Sequence, residues 1–341
     1  MIIDLRSDTV TKPTKEMLDA MMSAQIGDDV YKEDETINLL EKRIANMFGK
    51  SHAMFFPSGT MANQTAIKLH TNPGEQVICD KYAHIYNYEG GGASFNSGVS
   101  CKLIDGHQGM FTAKDVIEAI NPPEFYHSPL TSLVEVENTT NKGGGACWEF
   151  KELEKIKSVC EEHNLGYHLD GARLWNALVA KNETSQQYGT VFDTISVCLS
   201  KGLGCPIGSV LTGDKEFMSR ALRIRKMLGG GMRQGGFLAA AGLYALDHNI
   251  TRLAEDHKKA KVLGEHLKTL NVIKHVVPTE TNIVIFELEK DVNSNQFILK
   301  LKEQNILISD MGQGKLRLVT HLDYTNDMHT KVLDTLKHLN F

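Results

Sequence analysis

The chain has 341 residues, 41% of them hydrophobic, and a formal net charge of −5. That length suits one large or two medium domains with a full core, and the acidic balance argues against nucleic acid or an anionic membrane surface as a main partner. The first residues, Met1 to Asp8, carry charges where a secretory signal needs an apolar run, and no stretch reaches the roughly 18 apolar residues of a membrane span. Cys79, Cys101, Cys147, Cys160, Cys198 and Cys205 form no C-x-x-C pair. They are expected to be free thiols in the cytoplasm, and no His/Cys group has metal-ligand spacing.

The elements follow in chain order. A helix is predicted at 15–24, behind an N-terminal arm whose packing the sequence leaves open. Residues 53–56 read as a strand and 61–70 as a helix. Strands follow at 76–79 and 132–136, then a helix at 150–164 with Leu153, Ile156 and Val159 at core spacing. Further strands are predicted at 166–170, 195–199 and 208–211. Strand–helix alternation with apolar strands predicts an α/β fold with a mostly parallel sheet covered on both faces. In such sheets ligands collect beyond the carboxyl ends of the strands. A long helix is predicted at 238–257. Short strands at 272–277, 283–286, 306–308 and 316–319, with helices near 294–304 and 325–339, then predict a small α+β domain. The expected division is 1–254 for the arm and large domain and 255–341 for the small C-terminal domain.

Lys201 closes the apolar run Ile195-Ser196-Val197-Cys198-Leu199-Ser200 and precedes Gly202-Leu203-Gly204. An amine on a rigid strand end, with backbone free to approach closely, suits a Schiff-base enzyme. Pro57-Ser58-Gly59-Thr60 joins a strand to a helix. Its hydroxyls and the free N–H groups of the helix start can cup a phosphate, although an ordinary N-cap reads the same way. It is neither a Walker A loop nor a G-x-G-x-x-G turn. Asp170 ends a strand in His168-Leu169-Asp170-Gly171-Ala172-Arg173. A carboxylate there can hold a pyridinium N–H, and it can equally cap the next helix; Arg173 can reach the same ligand or face solvent. Phosphate cup, strand-end Asp and strand-end Lys, in that order, match the phosphate, ring nitrogen and aldehyde of pyridoxal 5′-phosphate in fold-type-I enzymes.

His84 can stack on a pyridine face or be a partly buried structural histidine. His127 lies in a turn-like stretch, where its role is open. Gly229 to Gly236 holds five glycines around Arg233 and suggests a backbone-lined anion contact, or a mobile loop. The basic face Arg220, Arg223, Arg225 and Lys226 reads as solvated. Arg317 lies inside an apolar strand and needs a partner, either a substrate carboxylate or an internal acid.

These segments, with Asp4-Leu5-Arg6-Ser7-Asp8-Thr9-Val10-Thr11, Gly27-Asp28-Asp29-Val30-Tyr31, Gly229-Gly230-Gly231-Met232-Arg233-Gln234 and Arg317-Leu318-Val319-Thr320-His321, resemble the low-specificity L-threonine aldolases of the β-eliminating-lyase superfamily. The resemblance runs nearly the full length. It implies a pyridoxal-phosphate fold of type I and cleavage of β-hydroxy-α-amino acids to glycine and an aldehyde. It implies Lys201 as the cofactor-bearing amine, Ser58, Gly59 and Thr60 on the phosphate, and Arg233 on a neighbouring subunit's phosphate. His84 would stack on the ring, Asp170 would hold its nitrogen, and Arg173 would lie near its oxygen. Arg173, Ser7 and Arg317 would bind the substrate carboxylate. Tyr31 would line the site from the neighbouring subunit. His84 and His127 would lie near the β-hydroxyl, and a homotetramer, a dimer of dimers, is implied. Thr140 departs from the family, where Glu-Asn-Thr-His-Asn is commoner than the Glu137-Asn138-Thr139-Thr140-Asn141 found here. The alternative is another pyridoxal-phosphate reaction on amino acids in the same scaffold: β-elimination, transamination or racemisation.

Overall fold

The computed structural model describes residues 2–339. The arm contributes a two-residue strand, β1 (Ile3–Asp4). Seven strands then build the main sheet: β2 (His52–Phe56), β3 (Gln76–Asp80), β4 (Ser100–Ile104), β5 (Thr131–Glu137), β6 (Gly166–Gly171), β7 (Thr194–Cys198) and β8 (Ser209–Gly213). Their order is β2-β8-β7-β6-β5-β3-β4. Strand β8 runs antiparallel to both β2 and β7, and the remaining pairs are parallel. The predicted α/β class and mostly parallel sheet are therefore present. Strands β3, β7 and β8 are buried along their whole length, which explains why they read as continuous apolar runs.

The alternation of side chains on β5 and β6 sorts two environments. Val134, Val136, Tyr167 and Leu169 enter the main apolar core with Leu153 and Ile156 of the helix Phe150–Glu162. Glu135, Glu137, His168 and Asp170 take the alternate positions. From that second set, His168 and Asp170 hydrogen-bond to Asn63 on the helix Gly59–His70. A polar layer is thus enclosed between the sheet and that helix.

The C-terminal part holds β9 (Ile273–Val276), β10 (Ile283–Leu288), β11 (Ile306–Leu307), β12 (Ser309–Gly312) and β13 (Lys315–Val319). Four of these form an antiparallel sheet in the order β12-β13-β10-β9. β11 instead pairs in parallel with β1. Ile3 and Leu5 of the arm accordingly join the apolar core of the C-terminal sheet, with Phe286, Phe297, Leu316 and Leu336.

Two sequence expectations are corrected. The helix predicted at 238–257 is two helices, Gly236–His248 and Leu253–Leu267. Asn249 ends the first; its side-chain amide donates to the Leu203 carbonyl at 2.8 Å, which diverts the chain toward the loop after Lys201. The basic face at 220–226 is not wholly solvated. Arg225 is buried, donating to Asp29 at 2.6 Å and to the Phe55 carbonyl at 2.8 Å. The helix Glu35–Phe48 went unread although Ile37, Leu40, Ile44 and Phe48 fall on one face.

Candidate active site

The carboxyl ends of β5, β6 and β7 bring the chemistry together. Ser58 has extended backbone and its Oγ accepts from the Met61 N–H at 3.2 Å, which caps the helix Gly59–His70. The first-turn N–H groups of Gly59 and Thr60 lie at the helix's open end. Glycine is required at position 59, because a Cβ there would stand 2.8 Å from the Cys198 Sγ. The same sulfur lies 3.4 Å from Lys201 Nζ. Cup and amine thus share one neighbour. Lys201 has no carboxylate partner within salt-bridge distance among the described residues.

Asp170 sits opposite Glu137 in the β5–β6 register. One of its oxygens accepts from the Ala172 N–H at 3.0 Å and the other from Asn63 Nδ2 at 2.8 Å. The same Asn63 nitrogen donates to Glu89 at 2.9 Å, and Glu89 meets His84 Nδ1 at 2.9 Å. One amide therefore ties Asp170 to the carboxylate behind His84. Although burial alone would lower it, the hydrogen bond to Glu89 and the charge of Asp170 raise the His84 pKa. With Nδ1 held by Glu89, Nε2 is left as the free nitrogen.

Arg173 makes a two-pronged ion pair with buried Asp8, Nε to Oδ2 at 2.8 Å and Nη2 to Oδ1 at 2.7 Å. Asn282 adds a third donor to Asp8 at 3.1 Å. Burial would raise the Asp8 carboxyl, but the Arg173 guanidinium overrides this and holds it at about 2. Arg317 reaches Asn141 Oδ1 at 2.8 Å and the Arg6 carbonyl at 2.9 Å. Burial, then the nearby Arg173 charge, lower Arg317 to about 10. Its Nε is buried with no partner among the described residues. A half-buried guanidinium with no acid partner among the described residues, beside a second guanidinium, could hold an anion such as a carboxylate.

Of the sequence-predicted residues, Lys201, Ser58, Gly59 and Asp170 surround one edge. Arg173 and Arg317 converge beside it through Asn141. Ser7 adjoins Asp8, where its Oγ accepts from the Thr9 N–H at 3.2 Å. Within one chain, Tyr31, Arg233 and His127 are not brought to this edge by any bond. Tyr31 and His127 are exposed, and the His127 ring packs against those of Phe125 and Tyr126. Arg233 pairs with Asp28 at 2.9 Å on the surface. The sequence reading assigned no role to Asp8, Asn63, Glu89, Glu137, Asn141 or Asn282.

These donors fit pyridoxal phosphate: a helix-start cup, an amine free of carboxylates and an anchored aspartate. Residues 4–290 match the beta-eliminating lyase family. The low specificity L-threonine aldolase of Escherichia coli K12 is 40% identical over 331 residues, 97% of each chain. The chain belongs to this family. Its similarity to the lyases extends to plants: a probable low-specificity L-threonine aldolase 2 of Arabidopsis thaliana is 39% identical over 94% of this chain and 92% of that one. Among solved structures, the Leishmania major threonine aldolase superposes with a TM-score of 0.85 over 98% of both chains, at 23% identity. A structure described as SPT with PLP superposes with a TM-score of 0.76, covering 98% of this chain and 87% of the other, at 16% identity. These two share the fold of this lyase.

Proposed function

We propose that this lyase cleaves L-threonine, L-allo-threonine and related β-hydroxy-α-amino acids to glycine and an aldehyde, using pyridoxal 5′-phosphate. The observation that carries this reading is the pairing of a carboxylate-free amine, Lys201, with two guanidiniums that converge on Asn141. The first suits an aldehyde cofactor and the second an amino-acid carboxylate.

When bound, the cofactor supplies the sink for the electrons of the bond that breaks. The chain's own residues decide which bond that is. Ser58, Gly59 and Thr60 would hold the cofactor's phosphate, Asp170 its ring nitrogen and Lys201 its aldehyde carbon, with His84 against its ring. Arg173, Arg317 and Ser7 would grip the substrate carboxylate and so select which bond at Cα is presented for cleavage. His84 Nε2 takes the proton of the β-hydroxyl, and Glu89 steadies the charge that results. Loss of that proton releases the aldehyde, and a proton returned at Cα completes glycine.

Tyr31, Arg233 and His127 act from a second copy, which is supported by their exposure in a single chain. Met22, Phe95 and Tyr126 also expose large apolar surface. A homotetramer, a dimer of dimers, is the assembly we infer. The division near 254 is supported by two apolar cores, one ending at Leu253 and one starting at Ala260, with Ile3 and Leu5 of the arm packed into the second. Among the described residues no helix is long and apolar enough to cross a membrane, and a cytoplasmic place is part of the same proposal.

The purified protein should absorb in the visible with bound cofactor, and Lys201→Ala should lose that band. Threonine, allo-threonine, phenylserine and serine should then be scored for glycine. 2-Oxobutyrate and ammonia from threonine, in place of glycine and acetaldehyde, would overturn the aldolase assignment.

A further inference from the structure

Glu137 closes β5 and is held from several sides. Its backbone lies in register with Asp170, and its carbonyl accepts from Trp148 Nε1 at 2.9 Å. The carboxylate therefore starts from a fixed point. One oxygen accepts from the His84 N–H at 2.9 Å and the other from the Asn141 N–H at 2.7 Å. His84 opens the short helix His84–Asn87. Asn141 carries the oxygen on which Arg317 and Arg173 meet. Two parts of the site from separate stretches of chain thus hang on the two oxygens of one side chain.

We propose that Glu137 is a positioning residue that holds the ring-stacking histidine and the carboxylate clamp as one unit. The inference rests on the roles given above to His84, Arg173 and Arg317. A carboxylate is the side chain this geometry calls for. It accepts at both oxygens, whereas glutamine would satisfy one N–H and turn its own NH2 against the other. Burial, then the charge of Asp170, push the Glu137 carboxyl up to about 7, so an ionised group here carries a cost that a solvated acid does not. Glu135 provides the contrast. It is two residues earlier on the same strand face and at least as buried, yet neither oxygen has a partner among the described residues. A buried acid on this face does not by itself reach His84 or Asn141.

Two reference variants separate the two arms. In the holoenzyme, His84→Ala should change the visible circular dichroism of the bound cofactor. Asn141→Ala should raise the dissociation constant for glycine about tenfold, the order expected for loss of one charge-assisted contact. Glu137→Gln should show both signatures together, with a melting temperature that stays close to wild type. Only one signature, or a lower melting temperature with both signatures at wild-type values, overturns the inference. Should Glu137→Gln not fold, Glu137→Asp keeps both oxygens but sets them back by one methylene. It should then show both signatures at smaller size, and the same outcomes would overturn the proposal. A wild-type enzyme that forms no glycine from threonine rejects the functional reading instead, so the two failures are distinct.

Discussion

Arg173 and Arg317 meet at one atom: their Nη1 nitrogens lie 3.4 and 2.8 Å from Asn141 Oδ1. Asp8 answers the charge of Arg173, while Arg317 has no acid partner within salt-bridge distance among the described residues. The pair carries one net positive charge that an incoming carboxylate can neutralise. Replacing Asn141 by aspartate supplies that charge internally. Asn141→Asp should therefore raise KM for L-threonine by about ten- to a hundredfold with a much smaller change in kcat. Steady-state kinetics decide it, and an unchanged KM would remove the arginine pair from substrate binding.

Asp8→Asn leaves the Arg173 guanidinium buried without its counter-charge. Breaking one side of such a pair costs about 3 kcal/mol or more. Urea unfolding of the apoprotein should show the loss directly. A shift below about 1 kcal/mol would mean that water or Glu137 replaces Asp8 at no cost.

Buried histidines should weaken the apoprotein in mild acid. Burial lowers His168 to about 4 and His70 to about 3. Above pH 6.5 both are neutral in the folded and unfolded chains. Below it the unfolded chain takes up protons that the folded chain refuses, so stability falls as the pH drops from 6.5 toward 4. Each histidine contributes up to about 3 kcal/mol. Glu137 acts in the opposite sense, because its folded form holds a proton up to about pH 7 and gains relative stability as the pH falls toward 4.5. His257, lowered by burial to about 4, adds to the histidine side, and Glu135, raised by burial and then by the charge of Asp170, adds to the glutamate side; the three histidines should outweigh the two glutamates. Urea midpoints at pH 7.5 and 4.5 test the sign, and a higher midpoint at pH 4.5 would show that the buried glutamates dominate.

Gly59→Ala should lower affinity for pyridoxal phosphate about tenfold or more by driving a methyl into the Cys198 sulfur, at 2.8 Å. Cys198→Ala in the same chain removes the obstacle and should restore most of the loss. Equilibrium titration of the cofactor into the two apoproteins measures both. Failure of the second change to rescue would place the cause in the backbone of the helix start instead.

The residues legible in the sequence are those whose role follows from local chain geometry. Asp170 lies at the end of a strand, Lys201 follows one by three residues and Ser58 caps a helix, and their neighbours announce it. Asp8, Asn63, Glu89 and Asn141 act through partners remote in sequence: Arg173 lies 165 positions from Asp8, and Arg317 lies 176 from Asn141. Signals were nonetheless present. Asn63 and Gln64 are amides in a helix otherwise lined by Ala62, Ala66 and Ile67. Glu135 and Glu137 interrupt an apolar strand. Each is a polar residue at an apolar position, which implies a buried partner without naming it. The break at Asn249 was invisible for a similar reason, since its cause is the carbonyl of Leu203.

The pairing of β1 with β11 bears on the order in which the site is completed during synthesis. Lys201, Asp170 and the Ser58 cup all belong to the first two-thirds of the chain, so the cofactor cradle emerges from the ribosome early. Asp8 emerges earlier still, but the strand that holds its segment in place, and Arg317 beyond it, come more than a hundred residues after Lys201. On the roles proposed above, a nascent chain would therefore meet the cofactor before it could orient an amino acid. Reactivity toward substrate waits for these last long-range contacts, which are the slow ones to form.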